Sequence, residues 1–482
     1  MKKTMKFFIS LFVLLAMVPL STGFVAADAR YCMPANKETE AESDKQNNEA
    51  ESKDQNNAEA DLDENNNEET EAEGQNKDEA EEVKMPELKA LNWVLEKPNE
   101  TEELPDNWFE LTDKFSENVA ALGKIMEEEL DDLSGFSPLS LYLALMAFRP
   151  GLSPEAQATL DEKLNPAGLS EEEIAEVIRI LNTLAVRYAY EAEGDTKVWE
   201  SNTFALGNQS IEFAPEYLEA LKANGMAALQ ADLHDEETYK ELNALISYYT
   251  KGLIDPLYSD DEIKEKVKDD ILNILINSIY FRAAWSVAFD PDNTTDETFY
   301  GQSGEKEVPM MQGQPEDMPY LETEDYVAIK KPYQGGAAML ILMPKQEVSE
   351  KEYWDFYAEA KASEDWSMHE VVLSLPKWEL SSQFDLGEVA GALGLDELLQ
   401  NGKLGFFTQD DLPLEVGNAF QRVELRVNEE GTEAAVVTVI ETKCMAMPVP
   451  NPQKIVVVDH PFIYSIEDQN ISLLQGLVVD MP

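Results

Sequence analysis

Residues 36–84 contain almost no side chains from which a hydrophobic core could be built. Glu, Asp, Asn, Gln, Ala and Lys make up nearly all of the stretch, and Leu62 and Val83 are its only branched aliphatic residues. Its 19 acidic and 5 basic residues repel one another, which favours an extended, disordered chain. A Pro-rich acidic stretch follows it. We therefore predict a disordered acidic tether over residues 30–105 and a folded domain over residues 106–482.

Residues 1–29 have the layout of a secretory signal peptide. Three lysines within the first six residues precede an apolar run, residues 7–20, and small residues offer cleavage after Ala27 or Ala29. A membrane anchor is the alternative, but Pro19 leaves the run short of the ~20 residues that a span requires. We predict a secreted, extracellular protein without membrane insertion. Attachment of the tether to a cell surface stays open.

The charge of the chain excludes several classes of function. The formal net charge is -59, and -48 of it lies on residues 85–482, which would repel the phosphate backbone of nucleic acid. Two cysteines and three histidines are too few for a disulfide scaffold or a Cys/His zinc cluster. We expect no nucleic-acid partner, no cofactor and no metal centre, although acidic clusters could bind calcium loosely.

Helical patterns dominate the first half of the folded region, and strand patterns dominate the second half. Amphipathic or apolar spacing predicts helices over residues 108–130, 138–148, 171–190, 215–223 and 236–251. Short β-branched runs predict strands over residues 271–281, 337–343, 371–375, 423–427, 455–458 and 462–466. This segregation predicts an α+β fold with mostly antiparallel sheets.

The histidines do not indicate a hydrolase. A hydrolytic site needs a nucleophile, a base and an orienting acid, and the base is most often His. His234, His369 and His460 have no Gly-x-Ser-x-Gly or His-Glu-x-x-His motif nearby, and surface or capping roles explain them better. The sequence therefore predicts that the protein is not an enzyme.

Residues 431–442 have the pattern of a strand but lead into a proline-rich stretch. Their even positions are uncharged, whereas Glu433, Glu441 and the following Lys443 lie at odd positions. A side-chain period of two predicts a strand with one dry and one wet face. Three prolines between residues 448 and 452 favour an exposed loop instead. Both an ordinary strand and an exposed loop with the pattern of a buried strand fit this segment.

Motifs spread along residues 106–482 resemble those of the serpins, the serine protease inhibitor family. The segment 429–435 (EEGTEAA) is similar to the serpin hinge. The other matching segments are Ser137-Pro138-Leu139-Ser140, residues 277–289 with the Asn-x-x-Tyr-Phe-x-x-x-Trp pattern, Leu375-Pro376-Lys377-Trp378, and residues 459–462 with 476–480. They occur in the order in which serpins carry them.

The resemblance implies both a fold and a mechanism. It implies helices clustered in the first half around three mostly antiparallel sheets, with an exposed reactive-centre loop. A target serine protease would form an acyl-enzyme on this loop, and the freed hinge would insert into the central sheet and stall deacylation, so the inhibitor is consumed. The expected partner is that protease, bound covalently by a monomeric inhibitor. The alternative is a non-inhibitory serpin that acts as a carrier or chaperone-like binding protein.

The resemblance also assigns residues to these roles. The hinge would consist of Glu429, Glu430, Gly431, Thr432, Glu433, Ala434 and Ala435, and the shutter and breach beneath the sheet would include Ser137, Ser140, Asn277, Trp285 and Gln421. Gln421 stands where serpins usually have His, so we expect different hydrogen bonds there. Serpin spacing puts the reactive bond at Met445–Ala446, which suits elastase-, chymotrypsin- or subtilisin-like proteases, with Lys443–Cys444 as a trypsin-like alternative.

Overall fold

The structure is a computed structural model that describes residues 103–191, 198–269, 271, 273–385, 387–395, 420–432 and 453–481. These residues form nine α-helices and fifteen β-strands, and seven of the helices precede residue 270. The helices are α1 (Trp108–Glu129), α2 (Pro138–Phe148), α3 (Pro154–Leu164), α4 (Glu171–Glu191), α5 (Pro215–Ala223), α6 (Glu236–Tyr249), α7 (Asp260–Lys266), α8 (Glu350–Ala362) and α9 (Gly387–Ala392).

Helix α2 forms the centre of the helical layer because it is apolar on all sides. Ten of its eleven residues are buried, as expected for a helix without a polar face. Ser137 is its N-cap: the side-chain oxygen accepts a hydrogen bond from the Ser140 backbone N–H at 3.1 Å. Pro138 follows at the first helical position, where its missing N–H has no cost.

Six strands form a sheet that carries the segment resembling the serpin hinge. They are β1 (Val198–Asn208), β2 (Ala227–Ala231), β3 (Asn273–Ala284), β10 (Trp378–Asp385), β11 (Phe420–Val427) and β12 (Gly431–Thr432). Their order is β10-β11-β12-β3-β1-β2, with only the β1–β2 pair parallel. One face packs under α6 through Phe204, Leu206 and Ile276. The opposite face packs on the main core.

The other nine strands form a second sheet. They are β4 (Thr295–Gly301), β5 (Gly304–Gln312), β6 (Glu316–Glu322), β7 (Tyr326–Pro332), β8 (Ala338–Pro344), β9 (Ser367–Pro376), β13 (Lys454–Val457), β14 (Phe462–Asp468) and β15 (Ile471–Val478). The order is β15-β14-β8-β7-β6-β9-β5-β4, and β13 pairs with β9 in parallel. All the other pairs are antiparallel.

The prediction of three sheets differs from the structure, in which the described strands form two. Strand β9 is the reason, because it is long enough to join two groups of strands. Its first residues pair with β6, from Ser367 to Val371, and its last residues, Ser374 to Pro376, pair with β5. The hydrogen-bonded network is therefore continuous across both groups. The α+β class and the excess of helices in the first half are confirmed.

The predicted elements lie close to the observed ones. The five predicted helices correspond to α1, α2, α4, α5 and α6, with ends that differ by at most two residues. The six predicted strands lie within or beside β3, β8, β9, β11, β13 and β14. Strands β1, β2, β4 to β7 and β10 were not predicted.

Candidate functional site

The start of the hinge lies between two strands of the six-stranded sheet. Gly431 and Thr432 form β12, which pairs with β11 on one side and with β3 on the other. Thr432 is opposite both Val427 of β11 and Ala283 of β3. No direct pairing between β11 and β3 occurs among the described residues. Gly431 and Thr432 of the hinge therefore already lie in the sheet, between β11 and β3.

Backbone hydrogen bonds fix the turn that leads into β12. Asn428 accepts hydrogen bonds through Oδ1 from the N–H groups of Glu430 at 3.0 Å and Gly431 at 3.1 Å. Its own N–H donates to the Gly431 carbonyl at 3.0 Å, and Trp285 N–H donates to the Glu430 carbonyl at 2.9 Å. Asn is suited to this turn because its side chain bonds to backbone groups two and three residues further on.

An aromatic pair lies beneath the side chain of the hinge residue Thr432. Thr432 is 2% exposed, and its hydroxyl lies 2.6 Å from the hydroxyl of Tyr333. Trp285 stacks on Tyr333 with ring centroids 4.3 Å apart and an angle of 9° between the planes, and its indole N–H donates to the Asn428 carbonyl at 3.0 Å. The buried hydroxyl of Thr432 therefore has a hydrogen-bond partner, so burying this hinge residue leaves no unsatisfied polar group on its side chain.

A buried lysine supports this aromatic pair from the next strand. Lys331 forms an ion pair with Glu316 and donates to the Val287 carbonyl at 2.8 Å. Its ammonium group lies 5.5 Å from the Trp285 ring centroid, within the range of cation–π attraction. The ion pair fixes Lys331 against the ring. Lys331, Glu316 and Tyr333 were not identified from the sequence, because Lys331 and Glu316 stand in strands without a motif and Tyr333 directly follows such a strand.

Glu429 ties the hinge turn to the segments that precede β4 and follow β9. Its carboxylate accepts hydrogen bonds from Lys377 Nζ and from the Thr294 hydroxyl, both at 3.0 Å, and its carbonyl accepts from Phe289 N–H at 2.9 Å. Burial alone would raise the pKa of Glu429, but the backbone N–H, Lys377 and Thr294 together lower it. Glu429, the first residue of the hinge segment, is therefore ionised at neutral pH and anchored by these contacts.

The predicted shutter residues form two separate hydrogen-bonded groups. Gln421 holds the Ser137 peptide with two bonds: Oε1 accepts from Ser137 N–H at 2.7 Å, and Nε2 donates to the Ser137 carbonyl at 3.0 Å. The Ser137 hydroxyl donates to the Leu473 carbonyl of β15 at 2.5 Å. Ser137, Ser140 and Gln421 thus join β11 to α2 and to the second sheet.

Asn277 belongs to the other group. Its Nδ2 donates to the hydroxyls of Thr203 at 2.7 Å and Ser201 at 3.2 Å, both on β1. Its Oδ1 is buried and has no hydrogen-bond partner among the described residues. Gln421 lies on β11 and Asn277 on β3, the two strands that flank β12. The Gln421 amide bonds to Ser137 and not to Asn277, so these two side chains do not link the strands. Trp285 lies apart from both groups, at the hinge.

Several predicted site residues lie outside the described residues. These are Glu433, Ala434, Ala435, Met445 and Ala446. Within the described ranges, no group of three or more His, Cys, Asp and Glu side chains is placed to hold a metal ion. In the same part of the chain, no helix is both long and apolar enough to cross a membrane.

Comparison with known proteins identifies the family. A model of the family described as Serpin (serine protease inhibitor) matches residues 119–481. The chain is 26% identical over 359 residues to alpha-1-antiproteinase from Mus saxicola, which covers 72% of this chain and 82% of that protein. Since the family model matches most of the chain, the protein belongs to the serpin family.

Solved structures have the same fold. Serpin48 from the insect Tenebrio molitor superposes with a TM-score of 0.63 at 20% identity and covers 79% of this chain and 100% of that one. Thyroxine-binding globulin in complex with thyroxine superposes with a TM-score of 0.58 at 20% identity, covering 77% and 99%. At these identities the similarity is one of fold.

Proposed function

We propose that this serpin is a suicide-type inhibitor of serine proteases that traps the acyl-enzyme by inserting its loop into the six-stranded sheet. The supporting observation is the position of β12. Thr432 already pairs with both β11 and β3, and Gly431 pairs with β3, so residues that follow Thr432 need only extend an existing strand. Extension avoids a separate nucleation step in the sheet interior.

The register of β12 predicts where each loop residue goes after cleavage. Continued along both neighbours, it puts Thr438 opposite Asn277 on β3 and opposite Gln421 on β11. Thr438 is one of the uncharged even residues, which would face the main core as Thr432 does. Its hydroxyl could supply the donor that Asn277 Oδ1 lacks. An inserted strand from Thr432 to Met445 would span about 48 Å at ~3.4 Å per residue.

The alternating charge pattern of the loop supports the same proposal. A charged side chain at an even position would have to be desolvated beneath the sheet, at a cost of several kcal/mol. Charges occur only at odd positions such as Glu433 and Glu441. These would face the other side of the strand.

We propose Met445–Ala446 as the reactive bond. An apolar methionine fits elastase-, chymotrypsin- or subtilisin-like proteases, whereas the trypsin-like alternative, Lys443–Cys444, lies two residues earlier in the loop. We further propose that residues 1–29 direct secretion and that residues 30–105 form an acidic tether to the inhibitor domain, residues 106–482. The expected complex contains one inhibitor and one protease.

A non-inhibitory carrier is the second candidate, since thyroxine-binding globulin has this fold. The hinge argues against it here. Proline, charge or bulk at positions 434 and 435 would hinder insertion, and both positions are alanine. A carrier has no need of a hinge in which Thr432 pairs with strands on both sides.

The proposal is tested by incubating the purified protein with subtilisin, elastase, chymotrypsin and trypsin. We expect an SDS-stable complex with at least one of the first three and a released peptide that begins at Ala446. Met445→Arg should redirect complex formation to trypsin, whereas the conservative control Met445→Leu should keep the original targets. Cleavage of the loop by every protease without any stable complex would contradict inhibition and favour the carrier.

A further inference from the structure

Two arginines flank the position that the loop would enter next in the six-stranded sheet. Strand β12 ends at Thr432, which pairs with β3 on one side and with β11 on the other. Carried one residue further, the same two registers put residue 433 opposite Arg282 on β3 and opposite Arg426 on β11. Residue 433 is a glutamate. The carboxylate that directly follows β12 is therefore matched on both sides by a guanidinium group.

Both arginines lie on the face of the sheet that is turned away from the main core. Ala283, next to Arg282, and Val427, next to Arg426, belong to the main core. Because side chains alternate between the two faces of a strand, the arginines are on the opposite face. Arg282 is half-buried and Arg426 is exposed. Residue 433 would share their face in an extended β12, because opposite residues on neighbouring strands point to the same side.

The spacing of the strands suits ion pairs at this position. Residue 433 is bonded to Thr432, so its Cα atom lies ~3.8 Å from the last residue of β12. Trp285 N–H donates to the Glu430 carbonyl. Because hydrogen-bonded and non-hydrogen-bonded pairs alternate, residue 433 and Arg282 would form a closer, non-hydrogen-bonded pair. Side chains of directly opposite residues have Cβ atoms ~4.5–5.5 Å apart, within reach of a guanidinium and a carboxylate.

Arg426 is available for a new partner. It forms no hydrogen bond or ion pair with the other residues that the structure describes, although the exposed Glu379 of β10 is its opposite neighbour. Arg422, on the same face of β11, is already engaged: it donates to the Pro256 carbonyl at 3.1 Å and to Glu424 at 3.2 Å. Arg426 therefore remains able to donate to a carboxylate on β12.

The charge of the domain makes this pair of cations distinctive. Residues 85–482 carry a formal net charge of -48, so a loop carboxylate is repelled by most of the molecule. Next to Arg282 and Arg426 the sign of the local charge is reversed. Strands on both sides also exclude part of the solvent there, which strengthens attraction between opposite charges.

We propose that Arg282 and Arg426, the arginine pair, bind the Glu433 carboxylate at the first step of loop insertion and thereby favour trapping of the protease. This inference rests on the proposed inhibitory function and adds two positioning residues to it. Charge-assisted hydrogen bonds from two guanidinium groups stabilise the first residue added to β12. Insertion is thus favoured before any of the later loop residues has been buried.

The test measures the ratio of cleaved inhibitor to SDS-stable complex with a protease that the wild-type protein traps. Hydrolysis of the acyl-enzyme competes with insertion, so this ratio rises by the factor by which insertion slows. Glu433→Gln should raise it about fivefold, the effect of losing two cross-strand ion pairs. Glu441→Gln is the matched control. It removes the same charge from the same loop, where the register puts the uncharged Ile274 opposite, and it should leave the ratio unchanged.

An exchange of charges separates the arginine pair from general effects of substitution in the hinge. Glu433→Arg should raise the ratio more than about tenfold, because three cations would then meet. Addition of Arg282→Glu and Arg426→Glu to this variant should return the ratio to within about twofold of wild type. Equal ratios in Glu433→Gln and Glu441→Gln would overturn the proposal. So would a lack of recovery in an exchanged variant that melts at the wild-type temperature.

A measurement without protease trapping distinguishes failure of this inference from failure of the proposed function. The loop is cleaved by a protease that the protein does not trap, and unfolding in guanidinium chloride is followed before and after cleavage. Insertion predicts a higher midpoint for the cleaved wild type. A smaller rise in Glu433→Gln than in Glu441→Gln supports the arginine pair, and equal rises overturn it alone. No rise in wild type overturns both, because the loop then does not insert.

Discussion

Gly431 occupies a position where a side chain would collide with the neighbouring strand. A Cβ atom built on Gly431 would lie 2.2 Å from the Ala283 carbonyl oxygen and 2.8 Å from Ala284 Cα. Both are backbone atoms of β3, so the contact cannot be relieved by a change of rotamer. Glycine is required here by space and not by backbone conformation.

We therefore expect Gly431→Ala to displace the hinge from the sheet. The amides of Trp285 and Asn428, which bond to the hinge turn, should exchange faster with deuterated solvent, and the yield of stable protease complex should fall in favour of cleaved inhibitor. Glu430→Ala is the control, since it alters the adjacent side chain and keeps the backbone. Unchanged protection in Gly431→Ala would show that the hinge is not held as described.

Glu127 is a second residue whose surroundings have a measurable consequence. Burial near the C-terminal end of α1 raises its pKa to about 7, although Gln475 Nε2 donates to its Oε1 at 2.9 Å. Lys124 and Glu128 on its own helix and Lys361 on α8 are the charged groups that act on it. The folded protein therefore keeps the proton of Glu127 to higher pH than the unfolded chain does.

Stability should consequently fall as the pH rises from about 4.5 to about 7, the interval between the unfolded and folded pKa values of Glu127. Glu127→Gln keeps the bond from Gln475 and removes the titration. We expect its melting temperature to exceed that of wild type at pH 8 and to match it at pH 4, with the exposed Glu129→Gln as control. Parallel pH profiles for wild type and Glu127→Gln would refute this assignment.

At the scale of elements, β11 is fastened to α2 through one glutamine. The two bonds from Gln421 to the Ser137 peptide are buried, so removal of the amide leaves a donor and an acceptor without partners. Gln421→Ala should lower the free energy of unfolding by about 2–4 kcal/mol, measured by urea denaturation. The same change at the exposed Gln383 on β10 should cost less than about 0.5 kcal/mol. Equally small changes in the free energy of unfolding for both variants would mean that the two Gln421 bonds make no net contribution to stability.

The sequence predicted elements well where periodicity or end signals were strong. Helix α5 has both predicted ends, and α2 begins at Pro138 because the Ser137 cap and the proline mark its start. Strand β1 was missed because its residues, VWESNTFALGN, do not alternate regularly between apolar and polar. Several of its polar residues, such as Asn202 and Thr203, are buried in the molecule, and the sequence does not reveal such burial.

The candidate site was predictable only where it carries a motif. The hinge residues Glu429 to Thr432 follow a recognisable pattern, and in the structure they form the turn and the short strand between β11 and β3. Tyr333 supports the hinge through a contact with Thr432, which is distant in sequence, and the Lys331–Glu316 pair supports it through the ring of Trp285. The resemblance to serpins showed that Gln421 replaces a usual His, but it could not predict that Gln421 bonds to the Ser137 backbone.

At the scale of the whole molecule, the proposed acidic tether should be dispensable for the folded serpin domain. Residues 36–84 lack core-forming side chains, so their deletion should leave the melting temperature and the rate of protease inhibition unchanged within error. Thermal unfolding and inhibition kinetics of the deleted and full-length chains provide the comparison. A large loss in either quantity would mean that the tether packs on the domain or binds the protease.

After cleavage, the loop of the proposed inhibitor would extend β12 between β11 and β3. Trp285 N–H donates to the Glu430 carbonyl, so residues 430 and 285 form a hydrogen-bonded pair. Hydrogen-bonded and non-hydrogen-bonded pairs alternate along an antiparallel ladder. In the extended register, Val437 and Ser278 would therefore form a closer, non-hydrogen-bonded pair. Its Cα atoms would lie about 4.5 Å apart, a distance that a disulfide can bridge. In the extended register, residue 441 would be about 14 Å further along β3.

The most direct measurement is therefore a disulfide test in the Cys32→Ser, Cys444→Ser background. Val437→Cys with Ser278→Cys should form a disulfide, detected by mass spectrometry, in the protease complex and in the loop-cleaved protein, and not in the uncleaved protein. The control pair, Glu441→Cys with Ser278→Cys, should remain reduced in every state. Protease complexes that are stable in SDS but show no link between residues 437 and 278, or show the link to 441 instead, would contradict insertion in this register.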